Sequence, residues 1–262
     1  MPRFGAMQGI LRRSGGELVK VAARLGFDGV ELIVSGSDLN HPYFTEAGQQ
    51  VVRDACATYG IEVPSLCLGG FNGAELALKN PQNHARAIAF LRRAIAAART
   101  LGAPVLLIPF FGDGELFTRA EQLTAADALR ELLAEAEAAG VTLALENTLR
   151  AADNIMVLER LGSSAARIYF DVSNAMWWGM NAPDEIRAYG QAGVLSQVHF
   201  KDGKGDHSNA MLGEGHVDFP ACVAALREVG YDGWIVLESA APHDPDADAS
   251  ANLAFARGLF AT

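Results

Sequence analysis

The sequence predicts a single (β/α)8, or TIM, barrel spanning residues 1–262. Three observations support this fold class. Short β-rich runs alternate along the chain with segments of helical periodicity, and strict alternation implies a parallel sheet with its helices outside. A glycine precedes most of the runs, at Gly26, Gly60, Gly102, Gly140, Gly162, Gly193 and Gly230. Glycine is favoured there because a helix commonly ends in the left-handed conformation, which costs glycine nothing. Finally, 262 residues of which 50% are apolar suit a closed barrel with a large core better than an open sheet.

In chain order, a first strand is expected around residues 4–8. The next runs are GVELIV (29–34), VPSLCL (63–68), VLLIPF (105–110) and VTLALE (141–146). IYFDV (168–172), LSQVHF (195–200) and WIVLE (234–238) complete the set. Several are almost continuously apolar, as expected of strands buried on both faces. Helical faces lie between them: Leu18, Val21, Ala22 and Leu25; Ile88, Leu91, Ile95 and Ala98; Leu129, Leu132, Leu133 and Ala136. Each set falls at helical spacing. The order predicts eight strands alternating with eight helices. No linker or low-complexity stretch divides the chain, and residues 240–250, rich in Asp, Ala and Pro, read as a loop after the last strand.

The formal net charge of −10 disfavours nucleic acid or an anionic membrane as partner, because both require a basic face. No apolar run is long enough for a spanning helix, and the N-terminal MPRFG lacks the apolar stretch of a signal peptide. Cys56, Cys67 and Cys222 form no CxxC pair and sit in apolar surroundings. They read as buried reduced thiols, consistent with the cytoplasm. A homo-oligomer is compatible with all of this.

In such a barrel the active site lies at the C-terminal ends of the strands. Polar residues close four of the apolar runs: Glu146 in LALENT, Asp171 in YFDVSN, His199 in QVHFKD and Glu238 in IVLES. They belong to the fifth to eighth strands and are expected to converge on one side of the mouth. Three carboxylates and an imidazole brought together would repel strongly without a cation. One divalent ion resolves the repulsion. The oxygen-rich set suits Mn²⁺, Mg²⁺ or Co²⁺, and Zn²⁺ is also accommodated.

Along nearly the whole chain, LGFDGVEL (25–32), LEN (145–147), FDVSN (170–174), VHFKD (198–202), GEGHVDF (213–219) and LES (237–239) follow one another at these strand positions. In this the chain resembles the xylose isomerase-like family of sugar and sugar-phosphate isomerases and epimerases. The resemblance implies that Glu146, Asp171, His199 and Glu238 bind one divalent metal, Mn²⁺ first among the candidates, and that the two glutamates are the acid/base pair. Deprotonation beside a ketone gives an enediolate that a metal stabilises. Return of the proton to the opposite face inverts the centre, and return to the adjacent carbon isomerises the sugar. Many epimerase-like members carry His three residues after the Asp ligand. This chain has Asn174 there, which can hydrogen-bond a hydroxyl but cannot carry a proton.

Asn174, Lys201, Trp177 and His216 are the expected substrate contacts: Lys201, on the strand face of His199, for a phosphate or oxyanion, and Trp177 as a pocket wall beside Trp178. Glu31 ends the second strand within reach of the site, and Asn147 alternates away from it. The expected activity is a metal-dependent isomerase or epimerase of a small keto-sugar or its phosphate. A lyase or dehydratase on the same site and a metal-free barrel acting as a binding subunit are the alternatives. A DNA-cutting relative of the same barrel uses a three-metal cluster with more histidines than the 6 present here.

Overall fold

The computed structural model describes residues 2–261. Its strands are β1 (Arg3–Met7), β2 (Gly29–Ile33), β3 (Ser65–Cys67), β4 (Val105–Pro109), β5 (Thr142–Glu146), β6 (Ala166–Asp171), β7 (Leu195–Phe200) and β8 (Trp234–Leu237). They form one closed barrel in sequence order, and the observed pairings are parallel. Each of the eight runs expected from the sequence is a strand, shifted by a few residues at its ends. The chain divides into two compact units, with boundaries inside β2, inside the helix Glu46–Tyr59, before β3 and inside β6.

The first half holds residues up to Glu31, Asp54–Glu62, and Tyr169 onward. Here the LGFDGVEL segment does the work of joining a helix to β2. The helix Gly15–Leu25 ends at Gly26, whose φ of 89° lets its amide reach back to Ala22 O and Ala23 O. Phe27 then turns into the core, and Asp28 ties β2 to β1. Its Oδ2 accepts from Phe4 N at 2.8 Å, and its amide donates to Phe4 O at 2.9 Å. Gly29 is required by crowding: a Cβ there would stand 2.7 Å from the Trp234 ring and 3.0 Å from Glu62 O. In the same half, β8 pairs with β1 (Phe4 with Ile235, Ala6 with Leu237) and with β7 (Val198 with Ile235, Phe200 with Leu237).

The second half, Leu32–Arg53 and Val63–Ile168, holds β3, β4, β5 and the start of β6. Its longest helix, His84–Leu101, buries Ile88, Leu91, Ile95 and Ala98 as their spacing requires and ends at Gly102, φ 71°. The helix Arg119–Arg130 opens with a capping box in which Thr118 and Glu121 satisfy each other's backbone amides.

Four expectations need correction. The connections contain more than eight helices, because several are split or preceded by a short turn of helix, such as Gln8–Leu11 and Val172–Trp177. Leu129, Leu132, Leu133 and Ala136 are all buried, but they do not share one continuous helix. The amides of Glu131 and Leu132 bond three residues back, to Ala128 O and Leu129 O. This tightens the chain between Arg119–Arg130 and Leu133–Ala139. Apolar periodicity reports which side is buried, and it does not report the hydrogen-bond register. The stretch 240–250 is not all loop, since Pro245 begins the helix Pro245–Ala261. Asp244 Oδ1 caps it by accepting from Asp246 N at 3.1 Å and Ala247 N at 2.9 Å, and proline is preorganised for the first helical position. Of the thiols, Cys67 and Cys222 are buried but Cys56 is only partly so, and all three are free.

The crowding at Gly29 sets a testable expectation. Gly29→Ala should lower stability by about 1–3 kcal/mol, the usual scale of overpacking, read as the urea midpoint at unchanged slope. Gly29→Ala combined with Trp234→Leu should lose less than the sum of the two single changes, because the second removes the ring the methyl collides with. Additive losses would show that the collision is not the cause.

Candidate metal centre

The site is built at the carboxyl ends of β5 to β8, with one residue from β2. Asp171 is the last residue of β6, and His199 lies next to the end of β7. Glu238 directly follows β8, its amide donating to Phe200 O at 3.0 Å. Glu146 closes β5, where its backbone oxygen accepts from Phe110 N at 2.8 Å. Each of these four side chains offers a ligand atom, and the four atoms lie within 4.8 Å of one another.

His199 is oriented from behind. Its Nε2 is 3.0 Å from Glu31 Oε1, and the other oxygen of Glu31 accepts from Tyr169 Oη at 2.8 Å. Both residues are fully buried, and the Tyr169 ring lies 4.4 Å from the imidazole. In the tautomer that donates Nε2–H to Glu31, the neutral ring presents the lone pair of Nδ1 to the site, whereas the protonated ring donates from Nδ1 to Glu238. That nitrogen lies 3.1 Å from Glu238 Oε2 and 3.9 Å from Asp171 Oδ2. With the ring neutral, acceptors this close repel unless a cation stands between them. Two donors each about 2.1–2.2 Å from one ion, at right angles, are themselves about 3.0–3.1 Å apart. The donor set and its spacing thus fit a hard divalent ion.

Asp171 supports the same conclusion. Its Oδ1 accepts from Asn174 N at 2.7 Å, capping the turn of helix that follows. Its Oδ2 is buried and takes no hydrogen bond of good geometry among the described residues. Burial raises the Asp171 carboxyl above the ordinary carboxylate range, against the pull of Lys201, with the charge of Glu238 adding to the rise. Glu238 moves the opposite way. Burial again works against its charge, but Lys201 and His199 together outweigh that and hold its carboxyl well below the usual range. The difference follows from position. Glu238, 28% exposed, takes a hydrogen bond from Lys201 at 3.1 Å, whereas Asp171 lies deeper.

Lys201 is the least expected element. Lys201, the expected contact for a phosphate or oxyanion, is buried to 3% exposure. Its Nζ stands 3.1 Å from Asp171 Oδ2 and 3.1 Å from Glu238 Oε2, inside the ligand cluster. Asn174 is buried beside Asp171. Trp177 and Trp178 remain 45% and 39% exposed and flank His207 at 6.2 and 5.9 Å between ring centres. His216 is exposed and lines a cavity of about 380 Å³ with Met176, Met180 and Arg187. Asn147 does turn away, exchanging hydrogen bonds with Asn154 at 2.8 and 3.1 Å.

Sequence reasoning missed Asp202. Its buried carboxylate accepts four backbone amides, from Gly203, Gly213, Gly215 and Val217, at 2.9–3.2 Å. It gathers the long loop after β7 onto the strand end that carries His199 and Lys201. The available signal was the GEG pair of glycines: a Cβ at Gly215 would collide with this carboxylate.

A family model described as "xylose isomerase-like TIM barrel" matches residues 19–259. The chain belongs to the xylose isomerase-like TIM-barrel family. Within it, the chain is similar to L-ribulose-5-phosphate 3-epimerase of Salmonella paratyphi C, at 30% identity over 235 residues, covering 85% of this chain and 81% of that protein. The fold is shared with D-allulose 3-epimerase from Methylomonas sp. in complex with D-allulose, at a TM-score of 0.80 and 21% identity, covering 98% of this chain and 97% of that one. It is shared also with L-ribulose 3-epimerase, at a TM-score of 0.78 and 23% identity, covering 99% and 96%.

The geometry predicts how the ligands respond to substitution. Glu31→Gln keeps the shape but removes the charge behind His199, and should weaken Mn²⁺ binding about ten- to a hundredfold, the scale for residues that orient a metal-bound histidine. His199→Gln should abolish stoichiometric binding. Gln is the better replacement than Ala, because His199 is buried and truncation would leave a cavity. Calorimetric titration with far-UV circular dichroism as a folding check measures both. Undiminished affinity in Glu31→Gln would remove Glu31 from the site.

Proposed function

We propose that this protein is a divalent-metal-dependent epimerase of a small ketose or ketose phosphate, inverting the carbon next to the ketone. The observation that carries this reading is the convergence of Glu146, Asp171, His199 and Glu238 at ligand distance. Two glutamates beside a site for a hard ion are what proton exchange next to a carbonyl requires. When bound, the ion supplies electrostatic stabilisation of the negative charge that develops on the substrate oxygens. Asp171 and His199 would serve as ligands alone. Glu146 and Glu238 would also move the proton, one taking it from the carbon and the other returning one to the opposite face. The depressed carboxyl of Glu238 is ionised at neutral pH, the form that accepts a proton.

For the substrate we favour a ketopentose 5-phosphate, on the similarity to the Salmonella enzyme. Asn174 is proposed to bond a hydroxyl and Trp177 to form a wall of the pocket. His216 is proposed as a further substrate contact from the loop after β7, and Lys201 would be an inner contact shared with Asp171 and Glu238. Mn²⁺ is the proposed ion, on the oxygen-rich donor set. The free thiols favour a reducing compartment such as the cytoplasm, and no described helix is long and apolar enough to cross a membrane.

Solvent deuterium exchange into a panel of ketoses tests the reading, with Mn²⁺ saturating. Deuterium should enter L-ribulose 5-phosphate at C3, faster than it enters L-ribulose or D-allulose. Entry at C1 would make the protein an aldose–ketose isomerase, and faster exchange into a free ketose would end the phosphate assignment. No exchange into any sugar by metal-loaded protein would overturn the proposal. Glu146→Gln and Glu238→Gln should each lower turnover by roughly two to four orders of magnitude at saturating metal. One of them should lose exchange starting from only one of the two epimers. Losses under tenfold in both variants would rule out the acid/base pair.

A further inference from the structure

Lys201 meets the carboxylates that the metal needs. Its ammonium is 3.1 Å from Asp171 Oδ2 and 3.1 Å from Glu238 Oε2. Those same two oxygens, with His199 Nδ1, enclose the position suited to an ion. Such a buried lysine is costly unless it is paired, and here two ligand carboxylates pair with it. It directly follows β7, two residues past His199, so the alternation of the strand carried one residue further sets it on the same face as His199. The loop beyond is pinned by Asp202, so the lysine is not carried on a mobile segment.

We propose that Lys201 is a built-in counter-cation of the metal site, which holds Asp171 and Glu238 together in the metal-free protein and lowers the affinity for the ion that replaces it as their main positive partner. This rests on the reading of Glu146, Asp171, His199 and Glu238 as the metal ligands. The physical basis is a balance of charge. Three ligand carboxylates, with Glu31 behind His199, would repel one another in the absence of metal. Lys201 offsets that repulsion without any ion. Once an ion is bound, the same ammonium stands beside another positive charge and opposes it. The opposition scales with the charge of the ion, so Lys201 disfavours trivalent ions more than divalent ones. The linkage is reciprocal: the amount by which Lys201 stabilises the metal-free state more than the metal-bound one is the amount by which it weakens metal binding.

Lys201→Met, Lys201→Arg and the wild type, each stripped with EDTA, provide the test. Melting temperature is measured with and without Mn²⁺, and affinity for Mn²⁺ and La³⁺ by calorimetry. Lys201→Met should melt lower than wild type in EDTA, gain more on adding Mn²⁺, and bind Mn²⁺ about tenfold tighter or more, with a larger gain for La³⁺. Lys201→Arg keeps the charge and should stay near wild type in affinity. A Lys201→Met protein that folds only with Mn²⁺ present supports the proposal equally. Should it fold in neither condition, the neutral Lys201→Gln is used in the same comparison, and failure of both neutral variants to fold with Mn²⁺ overturns the proposal. So does unchanged or weaker Mn²⁺ binding by the neutral variants when the wild type binds one ion per chain. A wild type that binds no Mn²⁺ at all would instead remove the underlying metal assignment.

Discussion

The site depends on the hydrogen bond between Glu31 and His199 Nε2, because it determines which nitrogen of the ring is offered to a ligand. A neutral imidazole has one donor and one acceptor nitrogen, and fixing the first fixes the second. With Tyr169 Oη on its other oxygen, Glu31 has both lone-pair faces engaged and cannot rotate away. Nδ1 is thereby directed at Asp171 and Glu238. A carboxylate–histidine arrangement of this kind commonly raises ligand basicity and limits the freedom of the ring, and here it does so entirely within buried surroundings.

That orientation is inherited from how the first half of the chain is assembled. Glu31 reaches the site only because β2 is set in register against β1, with Met7 opposite Glu31. The register is held by Asp28 gripping both backbone groups of Phe4. Gly29 lets Trp234 of β8 close over the start of β2. On the other side, Asp202 binds four amides of the β7 loop. Structural residues at both ends of the strands therefore serve the geometry of a few atoms at the mouth.

Concentrating carboxylates in a buried place lowers stability unless they find partners. The observed partners are a lysine, a histidine, a tyrosine and one backbone amide. Asp171 remains incompletely satisfied, and its carboxyl is raised by burial. Incompletely matched groups of this kind are expected where a ligand finishes the job, since natural proteins depart from local rules chiefly at functional sites.

The sequence by itself determined the barrel and the four ligand candidates. Both follow from short-range patterns: glycine after helices, apolar runs of strand length, and a polar residue closing each of four runs. Those signals are local, so they survive without coordinates. The positions of the strand ends, the break between Arg119–Arg130 and Leu133–Ala139, and the helix that starts at Pro245 escaped it, because hydrogen-bond register is not written in hydropathy. Only the tertiary structure decided what Glu31, Tyr169, Lys201 and Asp202 do. Glu31 and His199 are 168 positions apart in the chain, and Lys201 could have faced solvent or the site with the same local sequence. Which partner a buried polar group finds is set by closure of the barrel, a property of the whole chain that no neighbouring residue encodes.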